Sequence, residues 1–300
     1  MASLTIVANP AAGKGRGLRV VEKLEAALRQ RGVPFESHRT RSRGDASVLA
    51  HNAPNGTIVA VGGDGTVNEV ANGLAGSEKV LGVIPAGSGN DFIKSIGIPA
   101  SFSEALEVLL QAKTGNVDVG KVLVGGNSAP RYFVNGVGMG FDAAVADQTG
   151  RIRFFSGTPL YVVAVMQTLG RYRAPLFSVD MDDLKLKGRN LLIAIGNGTC
   201  AGGGFYLTPE AKIDDGLLDV CIIGDIPVRT ILRIMPLVMR GKHRKSVHVS
   251  YYKSKHINIL TAPPESFVVH ADGEIIGRNV DDVRISVGEQ QLKAIVGPLA

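Results

Sequence analysis

The stretch Thr57-Ile-Val-Ala-Val61, followed at once by Gly62-Gly-Asp-Gly-Thr-Val-Asn-Glu69, decides the fold. The apolar run predicts a buried strand, and the glycines after it predict a turn whose backbone can approach an anion closely. A helical period restarts at Val67, so the N-terminus of a helix would face whatever the turn binds. Strand, glycine turn and helix in this order are typical of an α/β fold and indicate a nucleotide triphosphate site.

The turn also carries a carboxylate, Asp64, which a purely structural turn does not require. A carboxylate beside phosphate oxygens is repulsive unless a divalent cation lies between them. The alternative is an ordinary β–α crossover, since such glycine turns also form without a ligand. Asp64 therefore favours magnesium-dependent phosphate chemistry.

Composition is that of a globular protein with a full core. The 300 residues are 45% hydrophobic and 20% charged, with a formal net charge of +6 that suits nucleotide, nucleic acid or an anionic membrane surface. With no Trp, 5% aromatic residues and no stacking motif, nucleic-acid binding is disfavoured. Cys200 and Cys221 lack metal-ligand spacing, so we expect two reduced thiols and a cytoplasmic protein.

Neither a signal peptide nor a membrane span is predicted. Residues 1–9 have no basic region and run directly into a strand-like segment. The longest apolar candidate, residues 159–169, is much shorter than the ~20 residues that cross a bilayer.

The two halves of the chain have different hydrophobic patterns. Through about residue 115, apolar runs alternate with amphipathic helical segments, which predicts a mainly parallel sheet covered by helices; the segments are 4–8, 18–30, 57–61, 67–74, 80–84 and 102–112. From about Val117, strand-like runs dominate, which predicts a mainly antiparallel β-sandwich with a few helices; the runs are 117–124, 131–137, 177–181, 190–195, 217–223, 256–260 and 283–287. Ligand sites favour the interface between two such domains.

Two further glycine-rich turns follow predicted strands. They are Asn9-Pro-Ala-Ala-Gly-Lys-Gly-Arg-Gly17 and Pro85-Ala-Gly-Ser-Gly-Asn-Asp-Phe92, in which Ser88 could donate to a phosphate. The first is neither a Walker A loop nor a Gly-x-Gly-x-x-Gly fingerprint, and each alone could be an ordinary turn. Because parallel strands end at one edge of their sheet, all three turns are expected to converge on one ligand.

These turns, in combination, resemble the catalytic domain of the diacylglycerol kinase and sphingosine kinase superfamily, most closely its bacterial soluble lipid kinases. The resemblance covers essentially the whole chain, although the Gly-Gly-Asp-Gly-Thr turn alone is shared with NAD kinases and resembles one of phosphofructokinase. It implies an α/β nucleotide-binding domain over residues 1–120, to which residues 288–300 return, and a β-rich lipid-acceptor domain over residues 121–287.

The resemblance also implies which residues bind the nucleotide. They are Asn9, Thr40, Gly62, Gly63, Asp64, Gly65, Thr66, Val67, Asn68 and Ser88. Lys14 and Arg16 are less certainly placed phosphate contacts.

Residues of the second half are implied in magnesium binding and proton transfer. Asp214 would join Asp64 in a catalytic carboxylate network, and Glu274 of His270-Ala-Asp-Gly-Glu274 would be the general base. A structural magnesium would be held by Asp215 and by two backbone carbonyls, those of Lys212 and Leu217. Phosphoryl transfer to a hydroxyl needs in-line positioning, a cation on the phosphates and a proton acceptor, so these roles are chemically coherent.

From the residues alone, other interpretations stay open for both acidic segments. Asp214-Asp-Gly is typical of a solvated β-turn, and Asp272-Gly-Glu of a hairpin turn with a solvated acid. His270, Asp272 and Glu274 could instead share one strand face as a metal trio, but Gly273 indicates that the strand ends there.

The function that the resemblance implies is transfer of the γ-phosphoryl group of ATP, with Mg²⁺, to the hydroxyl of diacylglycerol or a related membrane lipid. One rival is an NAD kinase, whose Gly-x-Leu-Gly-Phe-Leu stretch is missing from this chain. Another is a catalytically silent nucleotide- or lipid-binding protein. Lipid selectivity and oligomeric state, a homodimer included, are left open.

Basic and apolar side chains alternate irregularly along residues 229–245. One hypothesis is that they touch an anionic bilayer, which would place the protein peripherally at the inner face of the membrane. The alternative is a packed helix that ends at Gly241 and is followed by a solvated basic loop.

Overall fold

The computed structural model describes residues 3–126, 129–149, 152, 158–170 and 172–298. Residues 1 and 2 of the predicted first domain, and residues 299 and 300 of the predicted C-terminal return, lie outside them. Two compact units make up the chain: Met1–Asp118 with Glu289–Ala300 form the first, and Val119–Gly288 form the second.

Strands and helices alternate at the start of the chain. The strands there are β1 (Leu4–Ala8), β2 (Phe35–Arg39), β3 (Thr57–Gly62) and β4 (Val80–Pro85). The helices are α1 (Ala12–Gln30), α2 (Asp45–Asn52), α3 (Asp64–Leu74), α4 (Phe92–Ser95) and α5 (Phe102–Gln111).

Strands predominate in the rest of the chain. They are β5 (Thr114–Val124), β6 (Arg131–Phe133), β7 (Gly136–Gly140), β8 (Leu176–Met181), β9 (Leu184–Gly196), β10 (Leu218–Gly224), β11 (Val249–Ser254), β12 (His256–Thr261), β13 (Phe267–Ala271), β14 (Glu274–Val280) and β15 (Asp282–Ile295). The helices are α6 (Phe141–Thr149), α7 (Thr158–Leu169) and α8 (Val228–Val238). Within the described residues, no helix is both long and apolar enough to span a membrane.

The sheet of the first unit is parallel, in the order β2-β1-β3-β4. The end of β15 joins it beside β4, also in parallel, through Lys293 and Ala294. β1 is buried along its whole length, and α1 covers the sheet with Val21, Leu24 and Leu28, all fully buried. In this order the chain passes from β1 to β2 on one side and from β3 to β4 on the other. Ligands of α/β sheets bind beyond the carboxyl ends of two neighbouring strands whose connections diverge in this way.

The second unit pairs its strands in antiparallel fashion. β9 is central because it pairs with β7, β8 and β10, while β13 pairs with β7 and β14. Phe133, Met139 and Phe177 are among the fully buried side chains of its main core. The predicted fold class, a mainly parallel α/β domain followed by a mainly antiparallel β-sandwich domain, is confirmed.

One predicted strand is in fact two. Residues 131–137 read as a single run, but the structure has β6 and β7 with a break between them. The break arises because the backbone N–H groups of Val134, Asn135 and Gly136 all donate to the carboxylate of Asp272. A side-chain acceptor thus replaces the ladder partner that a continuous strand would need.

Candidate functional site

The three glycine-rich turns contact one another at the carboxyl edge of the parallel sheet. Asn9, in the turn after β1, donates its side-chain N–H to Thr66 Oγ1 of the turn after β3 at 3.2 Å. The Arg16 guanidinium donates to the carbonyl oxygen of Gly87, in the turn after β4, at 2.6 Å. The turns that the sequence predicted to converge therefore form one hydrogen-bonded surface.

Asp64 links the second turn to the third. Its Oδ1 accepts the backbone N–H groups of Asp91 at 2.6 Å and of Phe92 at 3.1 Å. These amides lie at the N-terminus of α4, where backbone donors have no partner within the helix. Asp64 is itself the first residue of α3, where the helix dipole favours a negative charge. The carboxylate is thus fixed in position from both sides.

Close backbone approach explains two of the glycines. A Cβ atom on Gly63 would lie 3.0 Å from the Cα of Gly87, and a Cβ on Gly87 would overlap Gly63. The packing of the second turn against the third therefore requires glycine at position 87 and leaves little room for a side chain at position 63. These glycines serve the contact between the turns as well as any approach of an anion.

The first turn has an unusual backbone. Gly13, Lys14 and Gly15 have φ angles of 57°, 60° and 88°, so the regular part of α1 begins only after them. A left-handed conformation at Lys14 is costly for a residue with a side chain. Such outliers concentrate at functional sites, which agrees with a binding role for this turn.

The remaining nucleotide residues predicted in the first unit fall into two groups. Thr40 follows β2 and donates its backbone N–H to Ala8 at 2.8 Å, which puts it at the same edge as Asn9; Ser88 is exposed there. By contrast, the side chains of Val67 and Asn68 are 2% and 3% exposed. A contact from Val67 would have to use its backbone, because its side chain belongs to the core.

Glu274 begins β14, just after a tight turn at Asp272 and Gly273. Both turn residues have positive φ angles, 47° and 81°, as the Asp-Gly hairpin signal predicts. The buried carboxylate of Asp272 holds three backbone N–H groups at 2.8 to 3.0 Å. Glu274 is 17% exposed and forms an ion pair with Arg131.

The alternative in which His270, Asp272 and Glu274 share a strand face as a metal trio does not agree with their contacts. His270 contacts Asp142, Asp272 holds backbone amides, and Glu274 pairs with Arg131. Across the described part of the chain, no group of three or more His, Cys, Asp or Glu side chains is arranged to hold a metal ion. The segment is a hairpin turn, as one interpretation had it, but its acids are not solvated, because Asp272 is 7% exposed and Glu274 is paired with Arg131.

The ammonium group of Lys253 holds the acidic turn before β10 in place. Asp215 accepts the backbone N–H of Leu217 at 3.2 Å and the ammonium of Lys253 at 2.8 Å, and the same ammonium lies 3.1 Å from Asp219. Burial raises the pKa of Asp219, and the ion pair with Lys253 opposes this. Burial lowers the pKa of Lys253, but its hydrogen bonds to Asp215 and Asp219 outweigh burial and raise it overall.

The set predicted for a structural magnesium, Asp215 with the carbonyls of Lys212 and Leu217, consists of hard oxygen donors, which fits the ion's preference. Asp214 and Lys212 are exposed on the same turn. A magnesium ion bound here would share the Asp215 carboxylate with the Lys253 ammonium group.

Sequence reasoning missed a large apolar pocket within the second unit. Its volume is about 670 Å³, part of it open to solvent, and all but a few of its lining side chains are apolar. Helix α8 contributes Ile231, Ile234, Met235 and Val238, whose spacing of three and four residues places them on one face. That spacing was the only sign of the pocket in the sequence. An apolar helix face predicts that the face is buried, but it does not show whether a cavity is left between the helix and its neighbours.

Family models match both halves of the chain. Residues 3–122 match the diacylglycerol kinase catalytic domain, and residues 135–294 match the YegS C-terminal NAD kinase beta sandwich-like domain. Among solved structures, a diacylglycerol kinase from Bacillus anthracis aligns with a TM-score of 0.69 and 24% identity, over 99% of this chain and 97% of that chain. A second structure from that organism aligns with a TM-score of 0.73 and 26% identity over the same shares. These likenesses agree with the two-domain fold.

Curated relatives cover nearly the same length. The diacylglycerol kinase of Staphylococcus epidermidis is 32% identical over 279 residues, 91% of this chain and 86% of that protein. That of Staphylococcus carnosus is 30% identical over 279 residues, 91% of this chain and 89% of that protein. The family-model matches and these relatives show that the chain belongs to the diacylglycerol kinase family.

Proposed function

We propose that this protein is a lipid kinase that transfers the γ-phosphoryl group of ATP to the hydroxyl of diacylglycerol or a related membrane lipid. The observation that carries the proposal is the hydrogen-bonded convergence of the three turns, through Asn9 with Thr66, Arg16 with Gly87, and Asp64 with Asp91. Backbone amides, helix N-termini and a fixed carboxylate at one sheet edge suit a magnesium-bound triphosphate.

In the first unit, the nucleotide is bound by Asn9, Thr40, residues 62–68 and Ser88. Asp64 suits magnesium because one of its oxygens is already oriented by two backbone amides, so little side-chain entropy is lost when a cation binds. Bound magnesium would neutralise the phosphate oxygens as the phosphoryl group moves. Asp214 is the candidate partner carboxylate, and the structural magnesium remains assigned to Asp215, Lys212 and Leu217.

In the second unit, Glu274 accepts the proton of the acceptor hydroxyl. Asp272 fixes the turn that precedes Glu274, since its three amide bonds anchor the hairpin to the segment between β6 and β7. Arg131 forms an ion pair with the Glu274 carboxylate and so restricts its orientation, and a carboxylate is the type of group that can accept the hydroxyl proton. A base on a rigid hairpin suits a reaction that depends on in-line positioning.

The apolar pocket favours a lipid acceptor over the rivals. Its lining is almost wholly apolar, so it would contact acyl chains and not a dinucleotide. A catalytically silent protein would need neither a proton acceptor on an anchored hairpin nor an oriented carboxylate beside the nucleotide turns. We therefore rank the lipid kinase above an NAD kinase and above a binding protein.

One assay tests the proposal directly. The purified protein is incubated with γ-labelled ATP, Mg²⁺, a panel of dispersed lipids and NAD, and the labelled product is identified. We expect a labelled lipid, with label transfer lost in Ile231→Trp because the larger ring fills the apolar pocket. ATP binding measured by calorimetry should be unchanged in that variant. Label in NAD alone, or in no acceptor at all, contradicts the proposal.

We also propose peripheral contact with an anionic bilayer through α8 and the basic segment after it. Val228, Leu232 and Leu237 are 45%, 41% and 37% exposed, beside the exposed cations Arg233 and Arg240. Apolar and basic side chains on one surface suit the interface of an anionic membrane. Neutralising Arg240, Lys242, Arg244 and Lys245 should weaken sedimentation with anionic vesicles, and unchanged sedimentation would refute this contact.

A further inference from the structure

A smaller pocket adjoins the apolar pocket of the second unit, and we call it the polar pocket for the Asn135, Asp142, Thr208 and His270 side chains in its otherwise apolar lining. It has a volume of about 270 Å³, and Asp142, Ala201 and Leu207 line both pockets. A ligand with a hydrocarbon chain and a compact polar group would fit this pair of spaces. The following inference rests on the proposed lipid kinase function and concerns which lipids the acceptor site selects.

Two titratable side chains meet in the polar pocket. Asp142, on α6, and His270, on β13, lie 2.9 Å apart from Oδ2 to Nε2, and are 18% and 6% exposed. The Nδ1 atom of His270 accepts the backbone N–H of Gly273 at 3.4 Å. The proton of a neutral His270 is therefore on Nε2 and is donated to Asp142. A carboxylate has about four acceptor positions, and this bond uses one of them.

Room for this pair depends on a glycine. A Cβ atom at Gly138, on β7, would overlap both the Asp142 carboxylate and the His270 ring. Glycine in a strand interior commonly marks a place where another group approaches the backbone closely. Here the approaching group is the hydrogen-bonded pair itself.

A third polar side chain of this pocket has an unused acceptor. Asn135 is 6% exposed, and its side-chain N–H donates to the carbonyl of Cys200 at 2.8 Å. Its Oδ1 atom is buried and has no hydrogen-bond partner among the described residues. A buried acceptor without a partner is costly, which points to a ligand that supplies a donor.

Most side-chain donors of the same pocket have acceptors within the protein. The hydroxyl of Thr208 donates to the carbonyl of Gly198 at 2.7 Å, His270 Nε2 pairs with Asp142, and one of the two N–H groups of Asn135 donates to Cys200. What the pocket offers a ligand is therefore mainly acceptors, from Asp142 and Asn135. The complementary ligand group is a hydroxyl, and an ester in its place would set oxygen against oxygen.

We propose that this pocket binds a second hydroxyl of the acceptor lipid, so that Asp142 and Asn135 select single-chain lipids with two neighbouring hydroxyls over lipids whose second oxygen is esterified. Asp142 acts as the specificity residue and His270 as the residue that positions it. A site built to accept a hydrogen bond from a hydroxyl discriminates against an analogue that lacks it more strongly than an apolar pocket separates methylenes.

A matched pair of short-chain lipids tests the proposal. 1-Decanoylglycerol and 1-decanoyl-2-acetylglycerol differ by one acetyl group that removes the second hydroxyl. We expect the wild-type protein to bind the first at least roughly 10-fold more tightly by calorimetry, with the same preference in kcat/KM for label transfer. Equal or reversed preference in the wild-type protein overturns the proposal.

Asp142→Asn gives the decisive readout. The amide can still accept from His270 while its NH₂ group faces the ligand, so the preference should fall or reverse in favour of the ester. The control Asp147→Asn makes the same change on the same helix at a residue that pairs with Arg278, and it should keep the wild-type preference. A preference in Asp142→Asn equal to that of the control overturns the assignment.

Two further arms separate the outcomes. If Asp142→Asn does not fold, Gly138→Ala displaces the pair without removing either side chain and should also reduce the preference; a full preference in a folded Gly138→Ala protein contradicts the proposal. Selective binding of the diol without label transfer to either lipid would leave this pocket assignment intact and refute the kinase function. Label transfer to both lipids at equal kcat/KM would refute this pocket assignment and leave the kinase function intact.

Discussion

The Oδ1 atom of Asp64 lies 2.6 Å from the backbone nitrogen of Asp91. The carboxylate of the second glycine-rich turn thus caps the N-terminus of α4, the helix that follows the third glycine-rich turn. The same oxygen also accepts from Phe92 at 3.1 Å. One side chain thus combines a structural task, which needs only an acceptor oxygen, with a proposed chemical task, which needs a negative charge. Substitutions can separate the two.

Asp64→Asn should abolish label transfer and leave the fold intact. The amide oxygen can still accept the two backbone N–H groups, but the charge that would bind magnesium is lost. We expect a loss of kcat of roughly 100-fold or more, as for removal of a major electrostatic group. The free energy of unfolding, measured with urea, should change by less than that of Asp64→Ala, which leaves the amides unpaired at a cost of about 1–3 kcal/mol. Near-normal turnover of Asp64→Asn would refute the catalytic role.

Glu274→Gln and Asp272→Asn should have opposite effects, although the two residues are neighbours on one turn. Glu274→Gln removes the proposed base, so label transfer should fall by roughly 100-fold or more while urea unfolding changes little. Asp272→Asn replaces a buried carboxylate that holds three backbone amides, so it should cost about 2–3 kcal/mol of stability. A stable Asp272→Asn protein would show that the amides do not need this anchor.

Gly87→Ala should weaken ATP binding. The added methyl group overlaps Gly63 and lies 2.7 Å from the side-chain oxygen of Asn90, so the second and third turns must separate. Because the strands beneath them are fully packed, the expected result is a raised dissociation constant for ATP in calorimetry with little loss of secondary structure. Gly125→Ala is a poor match because its φ is positive, whereas Gly188→Ala, with open space around its Cβ, is a suitable control.

The parts of the fold that sequence predicted are those whose signal is local. β1, β3 and β4 read as unbroken apolar runs because both faces of a central parallel strand are buried. β2 was not predicted, since its residues Phe-Glu-Ser-His-Arg form a largely exposed edge strand. The eight-residue α2 was also missed, being too short for a clear period.

The candidate site, too, was predictable only where its signal is local. The glycine turns and the acidic residues were visible in the sequence, and the topology of parallel strands predicted that the turns would meet. The bond from Asp64 to Asp91 spans 27 positions, and the ion pair of Arg131 with Glu274 spans 143, so neither leaves a local pattern. The apolar pocket is formed by residues from α6, α7, α8, β9 and β10, and whether such elements leave space between them depends on packing that no single segment reveals.

His243 should make the stability of the second unit fall as the solution becomes acidic. The side chain is 0% exposed, and burial lowers its pKa, although a backbone hydrogen bond with Leu207 opposes the shift. Its ring contacts the hydroxyl of Tyr251 at 2.5 Å, and Arg244 lies over the Tyr251 ring. In the unfolded chain a histidine titrates near pH ~6.5, so above that pH both states are neutral and the shift has no effect.

As the pH falls through ~6.5, the unfolded state takes up a proton that the folded state resists, and the free energy of unfolding decreases until the folded histidine titrates as well. Urea unfolding at pH 7.5 and at pH 5.5 should therefore show a loss of stability in the wild-type protein that is smaller in His243→Gln, where no proton can bind. The exposed His248 supplies the control, because His248→Gln should keep the wild-type loss. An equal loss in the wild-type and His243→Gln proteins would mean that His243 does not contribute to the acid sensitivity.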